Sequence, residues 1–211
     1  MANITVFGGT GYAGSAIVKE AAARGHKVTS VSRAAGASPA AGVAYVTAPA
    51  AEAQMPIGEG DVVVATLSPR GDNVGRLPDL YRELAQRAAK AGARFIAIGG
   101  FTCLRPAEGA PRMADGDQIP PQYRQEALEM YQVLKDLEAG RTGADWLFVS
   151  PAMEFGSYAP GKELGRYRTS GEVALFDANG KSAISGADFA RAVVDEIEKP
   201  TRHKAQIHFA Y

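Results

Sequence analysis

Residues 4–14, ITVFGGTGYAG, constrain the fold more than any other stretch of the chain. Four β-capable residues, Ile4 to Phe7, run straight into Gly8, Gly9, Gly11 and Gly14, and an alanine-rich segment with helical character, SAIVKEAAAR, follows at once. A strand, a tight turn and a helix are implied. Gly25 supplies a stop for that helix, and HKVTSVSR then reads as a second strand, so a β-α-β unit closes within about 30 residues. Such a crossover makes its two strands parallel, and parallel strands need cover on both faces.

The rest of the chain continues the alternation. VAYVT (43–47) is a third strand, residues 48–60 are irregular, and DVVVATL (61–67) is an apolar run typical of a strand buried on both sides. RLPDLYRELAQRAAKAG is an amphipathic helix closed by Gly92, and RFIAIGG a buried strand ending at two glycines. Residues 101–121 hold four prolines and form a long excursion, of unassigned role and suspected as a substrate lid. QYRQEALEMYQVLKDLEA is a helix with Ala127, Met130, Tyr131, Leu134 and Leu137 along one stripe, and DWLFVSPAM a strand closed by Pro151. A second loop runs from Glu154 to Gly171, and EVALFDANGKSAIS is expected to form two short strands around an Asn179-Gly180 turn. Ser185 with Asp188 starts the last helix, and KAQIHFAY is a closing strand. The fold class expected is α/β: one domain spanning residues 1–211, a Rossmann-like doubly wound parallel sheet, with a small C-terminal extension on the substrate side. Loops 99–121 and 151–184 supply that side.

Lys plus Arg and Asp plus Glu both count 23, so there is no basic field for nucleic acid or anionic lipid. No stretch approaches the ~20 apolar residues of a membrane helix, and the N-terminus lacks a basic leader. The single cysteine, Cys103, forms no internal disulfide and fits a reducing compartment; a cytoplasmic protein is expected. His26, His203 and His208 have no metal-ligand spacing and are placed away from the ligand edge, so no metal is expected.

The glycine pattern sits where dinucleotide binding needs it, after a strand and before a helix. Gly8 and Gly14 shape the turn, while Thr10, Gly11, Tyr12 and Ala13 offer backbone N–H groups to a pyrophosphate at a helix N-terminus. The side chain of Tyr12 is equally compatible with simple cover for the turn. The second strand ends in Ser32 and Arg33, with no acid before Glu52. An acid there would hold the 2′-hydroxyl of NAD; Arg33 paired to a 2′-phosphate, with Ser32 as a neutral donor, favours NADP, and NADPH over NADH. Ligands in such sheets lie beyond the carboxyl ends of the strands. Thr66, Leu67 and Ser68, Gly99, and Pro151 with Met153 therefore join the expected cofactor contacts.

With these residues in hand, the chain resembles the atypical short-chain dehydrogenases/reductases, and among them the bacterial NADH-flavin reductase-like family, relatives of NmrA-like and biliverdin reductase B proteins. The resemblance is carried by FGGTGYAGSAIV, GGFTCL (99–104), DWLFVSPAMEF, GRYRTSGE (165–172), FDANGKSAIS and DFARAVVDEIE, and covers nearly the whole chain. It implies the fold, an NAD(P)H cofactor, and reductase activity on a small-molecule electron acceptor, with FMN or FAD as a substrate. The larger superfamily works through a Tyr and a Lys four positions later. Tyr131 and Lys135 have that spacing, but Tyr131 falls mid-helix in the apolar stripe, while the better placed Tyr123 has Ala127 at the lysine position. The proton-relay pair is thus expected to be absent. Thr102 is the nearest match to the usual active-site serine and, with Tyr123, completes the candidate catalytic residues. Arg166, Tyr167 and Arg168 are candidates for anion contact or for a solvated loop.

Without the pair, a tyrosine keeps a pKa near ~10 and serves alcohol oxidation poorly. A flavin, quinone or similar flat acceptor needs stacking and orientation, and takes its proton from water. The leading expectation is an NADPH-dependent reductase of such an acceptor. The alternatives are an NADP-binding redox sensor without turnover and, less compatible with the missing lysine, an epimerase or dehydratase. No oligomeric state follows from the sequence.

Overall fold

The structure is a computed structural model that describes residues 1–36 and 39–211. Eight strands form one sheet: β1 (Asn3–Phe7), β2 (Lys27–Ser32), β3 (Ala44–Thr47), β4 (Val62–Ala65), β5 (Arg94–Ile98), β6 (Asp145–Ser150), β7 (Arg168–Ser170) and β8 (Ala205–Ala210). Their order is β3-β2-β1-β4-β5-β6-β8-β7. All neighbouring pairs are parallel except β7 against β8. Helices α1 (Tyr12–Ala23) and α4 (Gly186–Glu198) pack together on one face, and α2 (Leu77–Ala91) and α3 (Pro121–Glu138) on the other. This is the doubly wound α/β architecture expected. Every residue of β4 and β5 is buried, which is why those strands read as continuous apolar runs rather than alternating ones.

Three features differ from expectation. EVALFDANGKSAIS is not a hairpin: Asp177 Oδ1 accepts the N–H groups of Asn179 and Lys181 in a tight turn, but its flanks make only isolated bridges, Arg105 to Val173 and Glu154 to Ala183. Beyond the Asp177 N–H to Lys181 carbonyl bond that closes the turn, those flanks pair with two different loops. The second loop contains β7, a three-residue edge strand too short to show any alternation. Residues 101–121 are also not a free lid. Arg112, only 4% exposed, donates to the carbonyl of Cys103 and pairs with Glu138 and Glu172, so the middle of the excursion is pinned to α3 and to the second loop.

The strand directions place the ligand edge. Because β8 runs parallel to β6 with His208 opposite Ser150, His208 lies at the carboxyl end of the sheet, on the same side as the glycine turn. This corrects the sequence-based placement, since the direction of a closing strand cannot be read from its composition. Among the described residues no helix is long and apolar enough to cross a membrane.

Candidate functional site

The four glycines of the first turn differ in what they are for. Gly8 has φ +86°, and a Cβ there would stand 2.6 Å from Thr66 Oγ1. A Cβ on Gly9 would overlap the hydroxyl of Ser30, and one on Gly14 would overlap the carbonyl of Gly8 and stand 2.7 Å from Thr66 Oγ1. These three are demanded by the protein's own packing. Gly11 is not: its φ of −71° and ψ of 175° suit any residue, and its Cβ would meet only Gly8 O, at 3.3 Å. Gly11 is the N-cap of α1 and supplies no capping side chain, so the first N–H groups of the helix, from Tyr12, Ala13 and Gly14, have no intrahelical acceptor and no side-chain cap. Unpaired N–H groups at a helix N-terminus favour an anion, and a side chain at Gly11 would stand beside them.

The neighbouring candidates are mostly engaged in holding this turn. The hydroxyl of Thr66 donates toward the carbonyls of Phe7 and Gly8, at 3.1 and 3.0 Å, locking β4 to the turn. The Ser32 hydroxyl donates to Val31 O and accepts the N–H of Thr10, so both groups serve the turn itself. Leu67 N–H goes to the buried phenol of Tyr81, and the carbonyl of Ser68 accepts from Asn73 and from Arg70 N–H. Gly99 is a glycine because a Cβ there would overlap the ring of Phe148. Pro151 is buried, whereas Met153 is 53% exposed. Arg33 is different. It is exposed, has no hydrogen bond or ion pair among the described residues, and reaches from the end of β2 to the backbone of Gly71 beyond β4. A free guanidinium beside the turn is what a 2′-phosphate requires.

The structure also shows what Tyr12 does. Its phenol donates to Pro160 O and accepts from Gly186 N–H, both at 3.1 Å, and its ring stands edge-on to Phe155 at 5.2 Å. The glycine turn is thereby tied to the second loop and to the start of α4. There, the fully buried carboxylate of Asp188 accepts the N–H groups of Leu164 (2.7 Å) and Gly165 (3.0 Å), the hydroxyl of Ser185 and the phenol of Tyr211 (2.6 Å). Burial pushes the Asp188 pKa up, but these donors together outweigh it and hold the group below its ordinary value. A depressed folded pKa contributes stability above the unfolded value of 3.8 that is lost as pH falls through the folded one. Thermal melts from about pH 5 down to about pH 3 should therefore show a steeper fall for the wild type than for Asp188→Asn, which at neutral pH should be less stable by about 2 kcal/mol. Equal slopes would remove Asp188 from the acid response.

The Tyr131–Lys135 spacing does not build a proton relay. Lys135 Nζ lies over the face of the Tyr131 ring, 4.6 Å from its centre, and the phenol turns to Asp115 at 3.2 Å. Burial and Asp115 raise the phenol pKa, the opposite of what a proton donor to substrate needs. Tyr123 stands in the first turn of α3, 59% exposed and with no side-chain hydrogen bond among the described residues. Thr102 is half-buried in a short turn, Phe101–Cys103, beyond β5, and is not hydrogen-bonded to Tyr123. Of the second-loop candidates, Tyr167 bonds Asp195 and Arg168 bonds the carbonyls of Phe176 and Tyr211, leaving Arg166 exposed and without a partner among the described residues. Cys103 is buried with its thiol pKa pushed up to about 12 by desolvation, so it is no nucleophile. Sequence reasoning missed Arg112, which has no motif, and His208, whose strand direction it lacked.

A concavity of about 460 Å³ lies elsewhere, between the end of α3 and the starts of β6 and β8, lined by Trp146, Glu172 and Lys204 among others. It is at the opposite end of the sheet from the glycine turn and holds no set of N–H donors like that of α1.

The model of an NAD(P)H-binding family matches residues 8–200. The uncharacterised protein YwnB of Bacillus subtilis strain 168 is 32% identical over 211 residues, covering 95% of this chain and 94% of its own. A solved structure from Streptococcus pneumoniae TIGR4, described as a "putative NADH-flavin reductase", covers 100% of this chain and 99% of its own, with a TM-score of 0.83 at 28% identity. Another from Bacteroides thetaiotaomicron, described as a "putative epimerase", covers 100% of this chain and 97% of its own, with a TM-score of 0.83 at 27% identity. With a Rossmann-like sheet and a family match over residues 8–200, the chain belongs to the NAD(P)H-binding family.

Proposed function

We propose that the protein is an NADPH-dependent reductase that delivers hydride to a flavin, a quinone or a similar flat acceptor. The observation that carries the reading is Gly11, the one glycine of the turn that the fold itself does not require. Tyr12, Ala13 and Gly14 would bind the pyrophosphate through their N–H groups, Arg33 the 2′-phosphate, and Leu67, Ser68, Gly99, Pro151 and Met153 would border the cofactor along the strand ends. When bound, the reduced nicotinamide supplies a hydride. The acceptor takes that hydride and a proton from water, so no side chain of this protein has to ionise in the step.

The residues around the acceptor position are suited to orienting it rather than to acid catalysis. Phe101 and Phe176 meet edge to face at 6.1 Å, and Phe176 and Met153 are exposed enough to form an apolar platform. Thr102 would hydrogen-bond an acceptor carbonyl, with Tyr123 at the rim. Epimerase or dehydratase chemistry would need a tyrosine activated by a lysine, which the Tyr131–Asp115 bond argues against. The cytoplasm, a reducing compartment that supplies NADPH, suits this chemistry and the lone buried thiol.

The mechanism is tested by substitution. Tyr131→Phe should change turnover less than about threefold, and Thr102→Val and Tyr123→Phe each less than about tenfold, against the ~10² to 10⁴ lost with a true general acid. Steady-state rates with flavin and quinone acceptors measure this. A thousandfold loss in Tyr131→Phe would restore the conventional tyrosine mechanism.

A further inference from the structure

We propose that His208 is a hydrogen-bond acceptor for the electron-accepting substrate, engaging a ring N–H of a flat heterocycle at the carboxyl end of β8. The identity of that ligand rests on the reductase reading; the site rests on geometry. His208 is 0% exposed, and its Nδ1 lies 2.9 Å from the carbonyl of Ser150. A carbonyl only accepts, so Nδ1 carries the proton and Nε2 of the neutral ring presents a lone pair. Burial, with Arg168 nearby, holds the imidazole pKa below its ordinary value despite the opposing effect of the Ser150 carbonyl, so the ring is neutral at physiological pH.

The lone pair of Nε2 has no partner among the described residues. Its polar neighbours Gln206 and Ser150 are satisfied. On the same face of β8, the Gln206 amide donates to Ser150 Oγ and to Cys103 O, and its carbonyl accepts from Arg112. A closed polar layer with one open acceptor is not a packing requirement, because a phenylalanine would fill the same space without leaving a buried lone pair unpaired. The cover over His208 is aromatic and reaches the surface. Phe101 stands edge to face with the imidazole at 6.2 Å, Phe176 with Phe101 at 6.1 Å, and Phe176 is 36% exposed. Phe101 packs on the imidazole and Phe176 on Phe101, and they are the rings proposed to face the acceptor. A flat heterocycle that slides between or displaces them brings its edge to Nε2, and a ring N–H there completes the layer. A quinone, which carries only acceptor oxygens, gains nothing from the contact.

Lumiflavin and 3-methyllumiflavin separate these cases, since the methyl group replaces the flavin's ring N–H. In the presence of NADP, lumiflavin should bind about tenfold more tightly than its methylated analogue, the effect of one hydrogen bond. In His208→Phe the ratio should fall to near one while NADPH affinity is unchanged. The protein has three histidines, so the ring nitrogens of His208 can be resolved by nitrogen NMR in the unmodified protein. Lumiflavin should shift Nε2 and 3-methyllumiflavin should not, a result that stands even if the variant does not fold. A ratio near one in the wild type, a ratio that persists in His208→Phe, or an unmoved Nε2 resonance with lumiflavin bound would each overturn the proposal. Turnover of menadione without lumiflavin binding would overturn it and leave the reductase reading intact. A shifted Nε2 with no turnover of any acceptor would keep the site and overturn the reductase.

Discussion

Gly11→Val should lose at least about 100-fold in affinity for both NADPH and NADH, yet melt within about 4 °C of the wild type. The backbone at Gly11 is ordinary for any residue, and its Cβ would press only on Gly8 O at 3.3 Å, a contact that a small shift relieves. What the valine fills is the surface over the first N–H groups of α1, where the pyrophosphate has to approach. Gly14→Ala should behave in the opposite way. Its Cβ would overlap the Gly8 carbonyl, which Thr66 holds in place, so about 3 kcal/mol of stability should be lost whether or not cofactor is present. Calorimetric titration and thermal melts of the two variants check the contrast. Cofactor affinity unchanged in folded Gly11→Val would move the site off the turn.

Arg33→Ala should weaken NADPH by roughly 10- to 150-fold and leave NADH almost unchanged. The guanidinium lies against Gly71 and makes no hydrogen bond or ion pair among the described residues, so its removal breaks none of theirs and a loss specific to NADPH reports the ligand. Because the side chain is exposed, the preference for NADPH should shrink as salt rises. Dissociation constants for both cofactors and both proteins, at two ionic strengths, are the measurement. Equal losses for NADPH and NADH would make Arg33 structural, and a wild-type preference for NADH would show that the end of β2 reads a hydroxyl.

The sheet was legible in the sequence where strands are buried on both faces. VVVA and RFIAI can be little else, and the glycine stops and proline-led helix starts mark their neighbours. β7 was not legible, because three residues at an edge owe their conformation to β8 rather than to their own pattern. The expected hairpin around Asn179-Gly180 failed for the same reason: the turn is real, but the partners of its flanks, Arg105 and Glu154, are far away in sequence. The site was legible as a motif and not as a division of labour. Nothing in GGTGYAG distinguishes Gly11 from glycines that merely avoid Thr66 and Ser30, and the distinction needed the turn in three dimensions. The spacing of Tyr131 and Lys135 is that of a catalytic pair; the mid-helix place of Tyr131 already argued against one, and the position of Asp115 shows where the phenol points. His208 was misplaced because a parallel closing strand and an antiparallel one look the same in one dimension.

The central claim, that bound NADPH is spent on a flat acceptor, is tested most directly by anaerobic single-turnover mixing of the protein–NADPH complex with lumiflavin or menadione, following nicotinamide absorbance against acceptor reduction. The account predicts loss of one NADPH per acceptor reduced, at a rate that saturates with acceptor and that Arg33→Ala slows for NADPH but not for NADH at low cofactor concentration. Tight, saturable NADPH binding with no nicotinamide oxidation by either acceptor beyond the rate without protein would contradict it and identify a sensor of the NADP pool.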